Sequence, residues 1–488
     1  MSPSLTSDDK TPEASKVELT SDAESEQENR RKLERKLIRT LDIRMTMLGI
    51  IFVFNYIDRT NIATARLGHL ENDLHLDARK AQFETLLGIF YVGYILMMVP
   101  SNMLLHRLGR PSIYLSVCSM LWSIVSICTG ALLITLHKVS RTSALLTRFF
   151  LGFVEAVFLP GALFTLASWY TREELGLRTC LMWVGLLIAI PFGQLLAQGV
   201  LNTMEGVGGY SAWRWIFFIE GIVTFVVTLP AFYVLPDFPH TASSQKWLHP
   251  ELLKLAKQRK IEEMEDLAKI EDVSQKRGFV LAVKDWKVWW LALTVGAYQL
   301  SQGYYQYFPT LASTLGYNRN ITLVLCAPPG FASAIFTFFV SRHSDKVQKR
   351  FPHIVFCLGL SAIGWIMAMS TMNVGVRYTS IFFMEAIPGG FVVLIAWVNN
   401  IIAVPPAKKA VALGLIVAFS QLGTLASSYV YPQRWGPQYT ISFGITIGAA
   451  AITVLMCFIL RQHLASENKK AQEAMKQNPE LRPYFYQL

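Results

Sequence analysis

Apolar runs of about twenty residues recur along this chain, each broken by a short polar joint. As a helix rising ~1.5 Å per residue, such a run matches the hydrocarbon thickness of a bilayer. Lipid offers backbone N–H and C=O groups no partners, so a spanning segment must satisfy them within itself. The chain therefore reads as an all-α integral membrane protein with twelve transmembrane helices in two six-helix halves. The spans are expected near 43–64, 81–104, 112–134, 144–167, 179–201, 213–235, 286–311, 319–341, 353–372, 377–402, 409–431 and 440–461.

Composition agrees. The 488 residues are 52% hydrophobic and 16% charged, too apolar for a soluble enzyme with ordinary cores. A net charge of +11 would suit a nucleic-acid partner. Here, though, the basic residues lie between apolar spans, so the expected surroundings are a lipid bilayer and no nucleic acid. Cys118, Cys128, Cys180, Cys326, Cys357 and Cys457 all fall in apolar spans without CxxC spacing and read as small apolar side chains. The first forty residues hold no apolar core of a signal peptide, so the first span is expected to direct insertion.

Residues 1–42 form a tail, with an acidic, Ser-rich stretch to about residue 29 that reads as disordered. The basic run Arg30, Arg31, Lys32, Arg35, Lys36 and Arg39 follows and abuts the first span. Lys and Arg concentrate on the side this assigns to the cytoplasm, and an even span count returns the C-terminus there. The expected divisions are a six-helix bundle at 43–235, a cytoplasmic loop at 236–285 with a charged helix at the lipid surface, a second bundle at 286–462 and a tail at 463–488. A weak repeat supports two halves. Asn102-Met-Leu-Leu-His106-Arg107-Leu-Gly109-Arg110 and Ser341-Arg-His-Ser-Asp345-Lys346-Val-Gln-Lys349-Arg350 are short, basic and placed alike.

Charges inside the apolar runs point to function. Asp58 and Arg59 stand in Phe-Asn-Tyr-Ile-Asp-Arg-Thr-Asn, in the middle of the first span. Arg148 and Glu155 lie seven residues apart in the fourth, two helical turns, and so on one face. Each such residue costs at least ~2.5–3.5 kcal/mol on insertion scales and faces a bundle interior or a wet cavity. An arginine fork grips both oxygens of a carboxylate, and a buried acid that is neutral in one state and charged in another couples protons to that event. The expected arrangement pairs Arg148 with Glu155 and sets Asp58 beside Arg59.

These motifs support a resemblance. The two basic joints resemble the loop signature of the major facilitator superfamily, a small residue followed by Asp-Arg-x-Gly-Arg-Arg. Tyr56-Ile-Asp58-Arg59-Thr-Asn61, Tyr91-Val-Gly93-Tyr94 through Asn102, Arg148-Phe-Phe-Leu-Gly152-Phe-Val-Glu155, Pro160-Gly161, Ser168-Trp169-Tyr170, Trp213-Arg214-Trp215 and Glu220-Gly221 are together similar to the anion:cation symporter family, in its fungal allantoate and nicotinate permease branch. The resemblance is specific in the first half and is mostly hydropathy and loop placement in the second. It implies proton-coupled uptake of a small carboxylate. A functional monomer without cofactor is expected, with both termini cytoplasmic from the basic residues. The plasma membrane is expected by default, since the final Tyr-Phe-Tyr-Gln-Leu is not a retention or peroxisomal signal. By position the resemblance implies proton coupling at Asp58 and Glu155, and substrate contact at Tyr56, Arg59, Tyr94, Arg148, Gln194 and Asn399 or Asn400. It also implies gating by His106, Arg107, Arg110, Asp345 and Lys346. His106 stands where the signature has Asp, which puts the first loop's charge contact in question. Pro191-Phe-Gly193 resembles, without its leading Gly, a motif of drug exporters.

Duller readings stand beside these. The Asp58/Arg59 and Arg148/Glu155 pairs could simply fix helix packing, and Glu220 could be a static partner of Arg214. Glu385, before Pro388-Gly389-Gly390, suits a hinge as well as a function. Tyr298, Tyr304, Tyr305, Tyr307 and Phe308 read as packing before ring recognition. Gly152, Gly161, Gly185, Gly193, Gly414 and Gly423 read as close helix contacts. No metal cluster, nucleophile with its base, or phosphate loop suggests an enzyme, and two unlike halves do not suit a channel filter. An exporter of the same fold, moving a metabolite or toxin, is the competing function.

Overall fold

The computed structural model describes residues 12–135, 141–239, 241, 247–268, 275–402, 406–477 and 485–487. Among them every regular element is helical. Nine stretches are long and apolar enough to cross a bilayer: Gln82–Leu105, Pro111–Ala131, Arg141–Trp169, Glu174–Thr203, Ala212–Val234, Arg319–Val347, Phe351–Ser370, Val374–Ile401 and Thr440–Gln477. They correspond to expected spans two to six, eight to ten and twelve. The other three are also helical. The first, charged at its middle, lies within Pro12–Leu67. The seventh is divided into Trp286–Ser301, Gly303–Tyr307 and Phe308–Ser313. The eleventh is Pro406–Ser427, its apolar part being Val411–Ser427.

Within each half the helices touch where side chains are smallest. A Cβ on Gly152 would collide with the Phe90 carbonyl, and one on Gly93 with that of Phe149, so spans two and four meet backbone to backbone. Gly423 lies against the Gly296 carbonyl between spans eleven and seven in the same way. Gly161, Gly185 and Gly193 meet neighbouring side chains, but Gly414 has nothing within 4 Å and makes no close contact. Span five runs against span eight and span two against span eleven, which joins the halves. Pro191, inside the unbroken helix of span five, packs on Gly330 of span eight.

Spans four and ten pause at matching places. The fourth breaks between Arg141–Glu155 and Phe158–Trp169, the tenth between Val374–Met384 and Ile387–Ile401. Each pause sits at Glu-Ala followed by Pro-Gly, at Glu155 and at Glu385. In the tenth, carbonyls freed near the break take hydrogen bonds from the tyrosine cluster of span seven. Tyr304 donates to Met384 O at 3.1 Å and Tyr298 to Ile387 O at 2.6 Å. Three of these tyrosines, Tyr298, Tyr304 and Tyr307, are fully buried.

The face that carries both chain ends is elaborated. The first helix extends back to Pro12, through part of the segment expected to be disordered, while residues 1–11 lie outside the described residues. Pairs spaced for a helix favour it, Lys32–Glu28 at 2.8 Å and Arg30–Glu34 at 3.3 Å. Arg30 also reaches Glu262 on the central helix Pro250–Ala268 at 2.6 Å. Asp42 accepts two bonds from Arg178, at 3.1 and 3.0 Å, and one from Tyr170 at 2.7 Å. Lys260 donates to Tyr170 O at 2.6 Å, and Arg259 bonds Glu174, so the central helix is clasped to the first half.

In the two basic joints, Asp345 pairs with buried Arg350 at 2.5 Å, while Arg107, Arg110 and Lys346 are exposed. The His106 side chain lies outside the described residues. In the first half, Asp237 accepts from Ser112 N at 3.1 Å and Ser112 Oγ at 2.6 Å, holding the start of span three.

Candidate functional site

The site is built on the contact between spans two and four. Gly152 lies between Arg148 and Glu155 on span four, and its bareness lets the Phe90 backbone of span two settle against it. That approach brings the Phe90 ring to both arginines, 5.1 Å from the Arg59 guanidinium carbon and 5.9 Å from that of Arg148. Tyr56 and Tyr94 complete a box around Arg59, each with its ring centroid 4.9 Å away. Aromatic faces favour a cation there while leaving the N–H edges free to donate.

The pairing differs from the expected one. Glu155 bonds Arg59, through Nε at 3.3 Å and Nη2 at 3.2 Å, and is not paired with Arg148. Geometry explains the exchange. Seven residues along a helix give one face but ~10.5 Å of rise, too far for comfortable contact. Adjacent residues such as Asp58 and Arg59 point ~100° apart, so each must find partners on another helix. Asp58 turns into the first half and accepts from Ser126 of span three at 2.7 Å. Arg148, 2% exposed, acts on Asp58 and Glu155 through space, and its Nε and Nη1 have no hydrogen-bond partner among the described residues. It also lines a pocket with Thr129, Thr147, Trp213 and Phe217.

Tyr56, Asp58, Arg59, Tyr94, Arg148 and Glu155 are thus brought together. Gln194, buried on span five, accepts from Thr64 of span one at 3.1 Å and makes no hydrogen bond to that group among the described residues. Asn399 does not join, because its amide donates to Ile395 O of its own helix at 3.0 Å. Asn400 donates to Gln487.

The expected static pair of Glu220 with Arg214 does not form. Glu220 is buried on span six and bonds Asn61 of span one, not Arg214. Six residues separate Arg214 from Glu220, which leaves the two side chains ~120° apart around the helix. Arg214 packs instead over the Trp213 and Tyr210 rings. The available signal was an acid inside an apolar run together with an amide on span one. In the second half, Glu385 occupies the place of Glu155, and Tyr305 of span seven donates to it at 2.8 Å. A neutral phenol stands there where the first half uses a guanidinium.

Comparison with known proteins accords with this architecture. The family model described as Major Facilitator Superfamily matches residues 48–428. The MFS-type transporter cnsO of Penicillium expansum is 29% identical, over 89% of this chain and 84% of its own. The major facilitator-type transporter hxnP of Emericella nidulans is 25% identical, over 90% and 87% respectively. Among solved structures, the xylose transporter XylE from E. coli superposes with a TM-score of 0.67 at 15% identity, covering 86% of this chain and 98% of that one. A bacterial homolog of the human lysosomal transporter Spinster superposes with a TM-score of 0.61 at 17% identity, covering 86% and 95%. The chain belongs to the major facilitator superfamily: it is a multi-pass membrane protein and a secondary transporter of small molecules, not an enzyme.

Proposed function

We propose that this transporter carries a small organic anion, a carboxylate such as nicotinate or allantoate, together with protons into the cell. The observation that carries this reading is the exchangeable partner of Arg59. Its guanidinium is held in an aromatic box and paired with Glu155, a carboxylate that a proton would neutralise. A buried ion pair loses its attraction when its acid is neutralised, and the cation left behind is costly until another anion replaces it. Protonation of Glu155 therefore frees the Arg59 fork for the substrate carboxylate. Arg148, buried with unpartnered N–H groups, supplies a second donor. Loss of the proton on the inner side restores the Arg59–Glu155 pair and expels the anion. A plasma-membrane location with both termini cytoplasmic accords with the basic tail and the direction of uptake.

The test is uptake of labelled monocarboxylates by vesicles containing the purified protein, with and without an inward pH gradient. Gradient-driven accumulation is expected, and Glu155→Gln is expected to abolish accumulation while leaving exchange of anion across the membrane. Accumulation in the opposite sense would identify an exporter, and a cationic cargo would overturn the anion reading.

A further inference from the structure

Around Arg59 and Arg148, three carboxyl groups are buried in the first half: Asp58, Glu155 and Glu220. Glu155 has Arg59 as its partner, and Asp58 has Arg148 nearby. Glu220 has no cation within ion-pair distance among the described residues. Its Oε2 accepts from Asn61 Nδ2, and its Oε1 is buried without a partner. Asn61 stands one helical turn after Asp58 on span one, so its amide is flanked by two buried carboxyl groups on different helices.

The charged groups facing this link can be named helix by helix. Span one brings Asp58, and span four brings Arg148 and Glu155 beyond it. Span three offers the Ser126 hydroxyl to Asp58. On Glu220's own helix, Arg214 is turned to aromatic rings. With every group ionised the cluster would hold one negative charge in excess, deep in an apolar bundle. Two linked carboxylates there repel one another at low dielectric, and an isolated buried ion is far costlier than a neutral acid. One proton removes the excess. Arg148 and Arg59 stand by Asp58 and Glu155, whereas Glu220 has no cation within ion-pair distance among the described residues, which leaves Glu220 as the place for the proton.

We propose that Glu220 is a further proton-binding residue of the transport site, exchanging one proton with Asp58 through Asn61. This rests on the symport reading and adds to it a store of one proton behind the Arg59–Glu155 pair. When an anion settles on Arg59 and Arg148, Arg148 is drawn from Asp58. The O–H bond at Glu220 then breaks as one forms at Asp58, with Asn61 holding the two carboxyl groups in line and charge conserved.

Infrared difference spectroscopy of the full-length purified protein tests this without any cargo. A protonated carboxyl group absorbs in a carbonyl-stretch band that a carboxylate lacks. The wild type is expected to show such a band at neutral pH, Glu220→Gln to lose it, and Glu220→Asp to recover it. An unchanged band in Glu220→Gln would overturn the proposal. Should Glu220→Gln not fold, Asn61→Ala decides through the deuterium exchange of the same band: slower exchange supports the Asn61 link, and an unchanged rate overturns it. A band lost in Glu220→Gln together with wild-type vesicles that show no gradient-driven uptake would sink symport and leave this site standing. A retained band with intact symport would do the reverse.

Discussion

At the scale of single residues, what matters is which cation each acid can reach. Charges inside apolar runs are conspicuous, so Asp58, Arg59, Arg148 and Glu155 were legible from sequence. Their hydrogen-bonding partners were not, because Ser126 and the Arg59–Glu155 pair bridge different helices and a one-dimensional pattern carries no crossing angles. Asp58 reaches Ser126 and Glu155 reaches Arg59. Asn399 shows the same limit from the other side, since a polar residue in an apolar span can be satisfied by its own helix. The box around Arg59 has a consequence for substitution. Lysine keeps the charge but has neither the planar fork nor the flat face that Tyr56 and Tyr94 enclose. Arg59→Lys is therefore expected to weaken apparent anion affinity about tenfold or more, the equivalent of ~1.4 kcal/mol, at unchanged membrane yield. Concentration-dependent uptake in vesicles measures it. Arg148→Gln, which leaves Asp58 without its nearby cation, is expected to reduce uptake still further.

Among whole elements, helix existence was legible and helix interruption was not. Twenty apolar residues declare a span, but the pauses at Glu155 and Glu385 depend on what neighbouring helices offer the freed backbone, such as the tyrosines of span seven. The first helix runs back through the basic run, where Lys32–Glu28, Arg30–Glu34 and the bridge to Glu262 supply local and distant partners that hydropathy does not reveal. The contact of spans two and four allows no added atom at position 152. Gly152→Ala is expected to destabilise the fold by about 1–3 kcal/mol or more, read as a lower unfolding midpoint in detergent, with transport lost as Phe90 is pushed from the arginines. The clasp on the terminal face responds to acid. Burial works to raise the Asp42 carboxyl, but the bonds from Arg178 and Tyr170 outweigh it and hold Asp42 below the ordinary carboxylate range. A group depressed on folding stabilises above its unfolded range, about pH 4, and that stabilisation is lost as acidification passes through the folded value. The wild-type midpoint is expected to fall on acidification, and Asp42→Asn to start lower and fall less.

For the molecule as a whole, the two halves meet along spans five and eight and spans two and eleven. Cross-half hydrogen bonds gather on the face away from the chain ends. Arg319 donates to Leu201 O at 2.7 Å, Asn320 to Asn202 at 2.7 Å, and Arg66 to Gln433 at 3.4 Å. This face is closed, as one stage of an alternating-access cycle requires. A disulfide between cysteines placed at Asn202 and Asn320 is expected to hold it closed. Oxidation should abolish uptake and reduction restore it, whereas uptake that survives complete cross-linking would show that this face need not open. The paired halves were legible from the even hydropathy pattern and the repeated basic joints. Their division of labour was not. Both arginines of the cluster, and all three acids around them, belong to the first half, while Tyr305 and Glu385 form a separate neutral-donor counterpart in the second. Under the proposed symport, the groups that meet the proton and those that meet the carboxylate lie in the same half. A chimera that keeps residues 43–235 and takes the remainder from a distant relative is therefore expected to retain gradient-driven uptake of the same anion.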